Sequence, residues 1–366
     1  MRIDTITLQN YRNYSAFSGD FDPGVNLIVG KNAQGKTNLL EAISFLGSGK
    51  SFRTQKQKEL IRFDQDYAEI SACIFSQQRN QTLRWCLFAD RRRKLLEQNG
   101  VKKRSAGDIN GVMSTVLFCP EDLFVLKAGA SARRKLGDSA LCQLRGRYDA
   151  ALTEYQKLLE EKSKILKQQE EYPALLEVLP EFNAGLCRIG AHLISYRARF
   201  YESLGKEAAA YHEEFSGGAE NFSLVYHTVS TVTDPFAPIE TIHQQLLDHM
   251  ESHARAEKES GQCLSGPHKD DFSVYLSGLD LKTYGSQGQT RTAAISLKLA
   301  QRALMKREFD EEPVLLLDDV LSELDPGRQD FVLNQIRSGQ VFITCCEPGR
   351  FTKLGKTIEI DHGKIM

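Results

Sequence analysis

No run of eighteen or more apolar residues occurs, so the sequence offers no candidate membrane-spanning helix. The opening residues MRIDTITLQN lack the apolar core of a secretory signal, and a cytoplasmic location is expected. No C-x-x-C pair is present. The eight cysteines are scattered, mostly inside apolar runs, which argues against a disulfide framework and predicts buried, reduced thiols. His249 and His253 stand four apart on an expected helix without a third convergent ligand, so they read as solvent-facing and not as a zinc site. An excess of one charge is missing too. The net charge of −1 argues against a basic coater of nucleic acid and leaves room for a local basic patch. The 366 residues are enough for two or three domains, and 41% hydrophobic and 26% charged residues are an ordinary globular composition.

The most informative stretch present is GKNAQGKT, Gly30 to Thr37. Gly30, Gly35, Lys36 and Thr37 fit the spacing of a phosphate-binding P-loop. Val25, Leu27, Ile28 and Val29 before it read as a buried strand, and Asn38 to Ile43 after it as a helix, which is the context the motif needs. Glycines let consecutive N–H groups curl round a phosphate, and the helix N-terminus adds positive potential there. Lys36 is expected at the β- and γ-phosphates of ATP, with the Thr37 hydroxyl on Mg²⁺. A second Gly-Lys-Ser, at Gly49 to Ser51, lacks the leading glycine because residue 44 is Ser44, and reads as a helix stop.

Along the chain, residues 3–9 read as a strand, followed by a polar-aromatic turn, Asn10 to Tyr14. A basic segment carries Lys50, Arg53, Lys56, Lys58 and Arg62. Two alternating runs follow, 67–75 and 82–88. Residues 91–104 read as a hairpin turning at Asn99-Gly100, with Arg91, Arg92, Arg93, Lys94, Lys102, Lys103 and Arg104 as either a solvated face or a phosphate-contacting edge. Apolar residues recur at three and four from Leu141 to Leu166 and again from Leu175 to Phe215. They predict two long helices, broken at Tyr172-Pro173 and paired antiparallel. A strand (222–228), a helix (238–253) and a polar, mobile segment (254–261) are expected next. Strand 272–276, helix 290–302 and apolar strands 313–317 and 341–344, the last of the core, complete the reading. The expected organisation is an α/β ATPase with a mixed or parallel sheet. Its parts would be 1–137 with the P-loop, 138–254 as an inserted mainly helical lobe with a short antiparallel helix pair, and 255–366.

Leu315-Leu316-Leu317-Asp318-Asp319 supplies the carboxylates a P-loop requires at a neighbouring strand end. Asp318 is the expected Mg²⁺ holder, and Asp319 the group that orients or deprotonates the attacking water. Paired carboxylates at such a place are costly without a cation.

The order of LQNYRNY (from Leu8), the P-loop, SFR (from Ser51), PEDL (from Pro120), SGPHKDDF (from Ser265), SQGQTRTAAISLKLA (from Ser286) and LLLDDVLSELD (from Leu315) resembles the RecF family, ABC-type ATPase heads of the SMC and Rad50 class. The resemblance implies a head-to-tail, ATP-dependent homodimer. Ser286, Gln287, Gly288 and Gln289 form the signature that meets the nucleotide held by the partner subunit, and Asp325 communicates between the two sites. Lys31, Asn32, Ala33 and Gln34 of the loop, and Arg12, are implied at ATP. The implied activity is slow, DNA-associated ATP hydrolysis in recombination-mediated repair and replication. Single-stranded and duplex DNA at gap junctions, RecR, possibly RecO, and promotion of RecA loading come with it, and no membrane does. Asp319 stands where transporter ATPases use glutamate, Thr344 where they use a switch histidine, and Gly137 where the family has leucine. The alternative is another SMC/Rad50-type head acting as a nucleotide-gated clamp or adaptor. The helical insertion and Thr344 argue against a transporter ATPase.

Overall fold

The computed structural model describes residues 1–90, 92–109, 111–347 and 349–366. Arg91 of the basic hairpin lies outside the described residues. The chain forms two compact units, residues 1–124 with 291–366, and residues 125–290.

In chain order the first part of the first unit contains β1 (Arg2–Tyr11), β2 (Tyr14–Asp20), β3 (Val25–Val29), α1 (Lys36–Ser48), β4 (Tyr67–Ser76), β5 (Arg79–Phe88), β6 (Leu95–Gln98), β7 (Val101–Lys103) and β8 (Thr115–Phe118). The second unit contains α2 (Ala130–Leu144), α3 (Gly146–Gln168), α4 (Leu179–Ser216), β9 (Phe222–His227), α5 (Ile239–Ser260), β10 (Asp271–Leu276), β11 (Leu279–Asp280) and α6 (Leu281–Tyr284). Helix α7 (Gln287–Phe309) carries the chain back to the first unit, which closes with β12 (Val314–Asp318), α8 (Pro326–Gln335), β13 (Val341–Cys345), β14 (Lys356–Asp361) and β15 (Lys364–Ile365).

Two sheets make up the first unit. One is antiparallel, in the order β2-β1-β4-β5-β6-β7. The other, β15-β14-β3-β13-β12-β8, is parallel apart from β15. β3, β12 and β13 are apolar along nearly their whole length because both faces are covered. Helix α1 is buried on most of its circumference, with Leu39, Leu40, Ile43, Phe45 and Leu46 in one core with Ile6, Ile70, Trp85, Leu316 and Phe342. α1 stops at Gly49, φ 60, where an added Cβ would meet the Trp85 ring at 2.5 Å. The second Gly-Lys-Ser is therefore a helix stop. β14 was not legible as a core strand, since only Ile358 and Ile360 of its six residues face inward.

The second unit takes in more than the lobe 138–254. It begins at Val125 and ends at Thr290, because α2 is tied by Arg133 to Asp271 of β10 at 2.6 and 2.8 Å. The single helix expected over 141–166 is two helices. Arg145 is extended, with φ −138, and Gly146 restarts the turn. The apolar spacing of three and four runs on across Arg145, from Leu141 and Leu144 to Tyr148 and Leu152, so the period alone does not reveal the break. α3 and α4 run antiparallel: Tyr148 meets Tyr196 at one end, with ring centres 5.7 Å apart, and Leu158 faces Gly185 further along. Residues 254–260 are helix and not a mobile segment, held by the buried pair Lys162 to Glu257 at 2.5 Å. His249 is buried and not solvent-facing. It shares a 2.8 Å hydrogen bond with the Ser265 hydroxyl and stacks on His253. All eight cysteines are free, and Cys73 and Cys346 are exposed, against the expectation of burial.

Candidate nucleotide site

The P-loop leaves β3 and enters α1, as its spacing requires. A Cβ at Gly30 would stand 2.3 Å from the Ile360 carbonyl, and one at Gly35, φ 119, would stand 2.7 Å from Asn13. Both positions therefore demand glycine. The β1–β2 turn braces the loop from one side. Asn13 Nδ2 donates to the Gln34 carbonyl at 2.9 Å, and the Tyr14 hydroxyl to the Gly35 carbonyl at 2.9 Å. The β14–β15 turn braces it from another, through the Gly363 N–H on the Gln34 carbonyl at 3.1 Å. Lys31, Asn32 and Ala33 form the exposed crest, with Ala33 in the left-handed region at φ 65.

Lys36 is 4% exposed, and its ammonium donates to the carbonyls of Gly30 (2.7 Å) and Lys31 (3.2 Å). Thr37 Oγ1 donates to Asp318 Oδ1 at 2.9 Å. The same carboxylate oxygen accepts from Thr344 Oγ1 at 2.9 Å, while Thr344 accepts the Asp319 N–H at 2.8 Å. Burial pushes the Asp318 carboxyl up from its ordinary value. The two threonine hydroxyls oppose that shift and the neighbouring Asp319 charge adds to it. Asp319 sits at φ 50, an uncommon conformation for a residue with a side chain, just as β12 ends. The structure thus brings Gly30, Gly35, Lys36, Thr37, Asp318 and Asp319 to one place. Asp325 is the N-cap of α8: its side chain accepts the Arg328 N–H at 3.1 Å and pairs with the Arg328 guanidinium.

Arg12, implied at ATP by the resemblance, is engaged within the first unit. Its guanidinium forks onto Glu41 of α1 at 2.8 and 2.7 Å, and donates to the Glu59 carbonyl at 2.7 Å. Glu41 is fully buried and also accepts from Ser51 at 2.5 Å. The SFR stretch thereby anchors α1 from behind, and Arg53 reaches Asn38 at 2.7 Å. Sequence reading missed Glu41 as the hub of this cluster and Thr344 as the clamp on Asp318. A polar residue at an otherwise apolar helix or strand position was the available signal for both.

The signature residues lie in the second unit, at the start of α7. The Ser286 N–H donates to Gln289 Oε1 at 2.9 Å, and the Gln289 N–H donates to Ser286 Oγ at 3.2 Å. This reciprocal pair is a capping box, the pattern Ser-x-x-Gln just before an apolar run. Ser286 and Gln287 are exposed. Lys127 steadies the approach, donating to the carbonyls of Lys282 (2.8 Å) and Gly285 (3.0 Å). The GPHKDD stretch is internal scaffolding: Arg197 binds Asp138 at 2.9 Å and Asp270 at 2.7 Å, and Arg134 binds the Asp270 carbonyl. At Gly137 a Cβ would fall 2.2 Å from the Tyr201 hydroxyl, so Tyr201 fills the space a leucine would take.

Among the described residues there is no helix long and apolar enough to cross a membrane, and no cluster of three metal-binding side chains of the His, Cys, Asp or Glu types. The family model of the RecF/RecN/SMC N-terminal domain matches residues 2–365. The DNA replication and repair protein RecF of Bacillus subtilis is 39% identical over 349 residues, covering 94% of this chain and 93% of that protein. That of Clostridium perfringens is 36% identical over 345 residues, again covering 94% and 93%. The solved structure of the recombination mediator protein RecF with ATP, described as part of the RecFOR pathway, superposes with a TM-score of 0.88 at 33% identity, covering 100% of this chain and 96% of that one. The Smc head domain of Pyrococcus furiosus shares the fold at a TM-score of 0.54 and 17% identity. With the P-loop and strand-end carboxylates in place, the chain belongs to the RecF family of ABC-type ATPase heads.

Proposed function

We propose that this chain is an ATP-gated, DNA-binding recombination mediator of DNA replication and repair. The observation that carries the nucleotide half of this reading is the 2.9 Å bond between Thr37 and Asp318, which puts the P-loop hydroxyl and the strand-end carboxylate on one point. The donor set fits a divalent cation: a hydroxyl, a buried carboxylate whose charge is under-compensated, and a second carboxylate next in sequence. Thr37 and Asp318 would hold Mg²⁺, which would neutralise charge on the β- and γ-phosphates. Lys36 exchanges its two loop carbonyls for phosphate oxygens. The loop N–H groups from Lys31 to Thr37 receive the phosphates, and Asp319 orients the attacking water. Aspartate is one methylene shorter than glutamate, which supports slow turnover. A nucleotide contact from Arg12 would require it to give up its fork on Glu41.

Ser286 to Gln289 act on the nucleotide of a second copy of the chain, so that ATP joins two subunits and hydrolysis parts them. Asp325 relays between the two sites. DNA at single-strand gaps is the client, with RecR and possibly RecO as partners and RecA loading as the outcome, in the cytoplasm. Among the described residues of the first unit, the hairpin with Arg92, Arg93, Lys94, Lys102, Lys103 and Arg104 and the segment from Lys50 to Arg62 offer cationic surfaces.

Fluorescence anisotropy on single-stranded, duplex and gapped DNA tests this reading. Binding that requires ATP, fades with ADP and weakens as salt rises supports it. Equal binding in every nucleotide state counts against ATP gating.

A further inference from the structure

We propose that Glu220 is a positioning residue for the signature. It fixes which way round the Gln289 amide faces, and through it the conformation of Ser286. The proposal rests on the reading that the signature acts on a partner's nucleotide, and adds a residue from outside every motif.

Gln289 Nε2 donates to Glu220 Oε1 at 2.7 Å, while Gln289 Oε1 accepts the Ser286 N–H at 2.9 Å. An ionised carboxylate only accepts and a backbone N–H only donates. The amide is thus held between two groups of opposite demand. Turned over, it would set oxygen against carboxylate and NH₂ against N–H. The bond to Gln289 holds the Glu220 carboxyl below its ordinary value, and His212 acts in the same direction, so the group stays ionised at neutral pH. With the amide fixed, Ser286 Oγ accepts the Gln289 N–H, and an oxygen engaged in that way still has its own proton to donate to a phosphate oxygen.

Glu220 is itself held in place. Its second oxygen meets His212 Nε2 at 2.8 Å. His212 is fully buried on α4, its ring packed 5.5 Å from that of Phe222, and its Nδ1 has no partner. That pattern puts the ring proton on Nε2, where it donates to the carboxylate. The chain reverses directly after α4 through Gly217 (φ 63) and Gly218 (φ 79), which returns Glu220 alongside His212 eight residues earlier. A line of His212, Glu220, Gln289 and Ser286 then runs from the end of a long helix to the signature, entirely within the second unit.

Two measurements on the full chain test this. In the nucleotide-free protein labelled with ¹⁵N-glutamine, the Gln289 side-chain amide, assigned by its loss in Gln289→Ala, should exchange slowly in wild type and at least tenfold faster in Glu220→Ala, which leaves no oxygen to accept from it. Equal exchange rates overturn the positioning role whatever the signature does. The second is a double-mutant cycle on ATP-driven dimerisation followed by sedimentation. Glu220→Ala should weaken the dimer about tenfold, the worth of one hydrogen bond to a charged group, with monomer affinity for ATP unchanged. In a Gln289→Ala background the same change should add nothing. Effects that multiply in the double variant would make Glu220 a structural residue only. Should Glu220→Ala fold poorly, Glu220→Met, which likewise offers no oxygen to the amide, takes its place in both measurements. Ser286→Arg serves as the control. If it blocks the dimer while the Glu220 variants do not weaken it, the inference alone fails. If it leaves the dimer intact, the trans-acting signature fails as well.

Discussion

Asp318 accepts two threonine hydroxyls on a single oxygen, is 7% exposed and has Asp319 as its chain neighbour. Its folded-state pKa is raised, so between the ordinary 3.8 and that higher value the native state binds more protons than the unfolded chain. Stability therefore falls as pH rises through that window, and the cost is complete above it. Asp318→Asn keeps an oxygen for both hydroxyls and removes the charge. The nucleotide-free variant should be stabilised by on the order of 1 kcal/mol at pH 7, with the gain shrinking towards pH 4, while Mg²⁺-dependent turnover is lost. Thermal melting at the two pH values and phosphate release check this pair of outcomes. Lys36→Met, which cannot exchange loop carbonyls for phosphate, should abolish ATP-driven dimerisation. A sedimentation experiment that still finds the dimer would remove Lys36 from its role.

Elements in the second unit are joined by charges that have left water. Lys162 of α3 and Glu257 of α5 are 1% and 3% exposed, and Glu257 also accepts the Leu264 N–H at 2.7 Å. Removing one partner leaves the other buried and unpaired. Lys162→Met should cost about 3 kcal/mol in denaturant unfolding, far more than the loss of a surface pair of similar length such as Lys206 with Glu202. A loss below about 1 kcal/mol would mean that the backbone N–H groups alone satisfy Glu257. The same pair explains why residues 254–260 are helical although they read as a polar, mobile segment. Composition records polarity, and the partner that orders it lies 95 residues away. The break at Arg145 was hidden for the converse reason, since the apolar spacing continues across it.

For the whole molecule, the ATP-dependent dimer is the claim with the widest consequences. Ser286→Arg should leave monomer affinity for ATP within about twofold and raise the dimer dissociation constant at least tenfold, since it fills the space beside an exposed cap with a long cation. Equilibrium dialysis and sedimentation separate the two effects. A large loss of monomer affinity would instead place Ser286 at its own subunit's nucleotide.

Local sequence determined the strand–loop–helix of the P-loop, the apolar strand ending in Asp318-Asp319, the helix stop at Gly49 and the capping box Ser286-x-x-Gln289. Each depends on neighbours within a few residues: glycine where a Cβ has no room, alternation or apolar runs where strands are covered, a side-chain oxygen where a helix begins. Tertiary structure alone decided what those groups touch. Thr344 clamps Asp318 because β12 and β13 lie side by side in parallel register. Arg12 serves Glu41, 29 residues away. Glu220, in no motif, reaches the signature because two glycines fold the chain back after α4. Hydrogen bonds and ion pairs are short-ranged in space but indifferent to separation along the chain, so the residue types were legible in the sequence and their partners only in the fold.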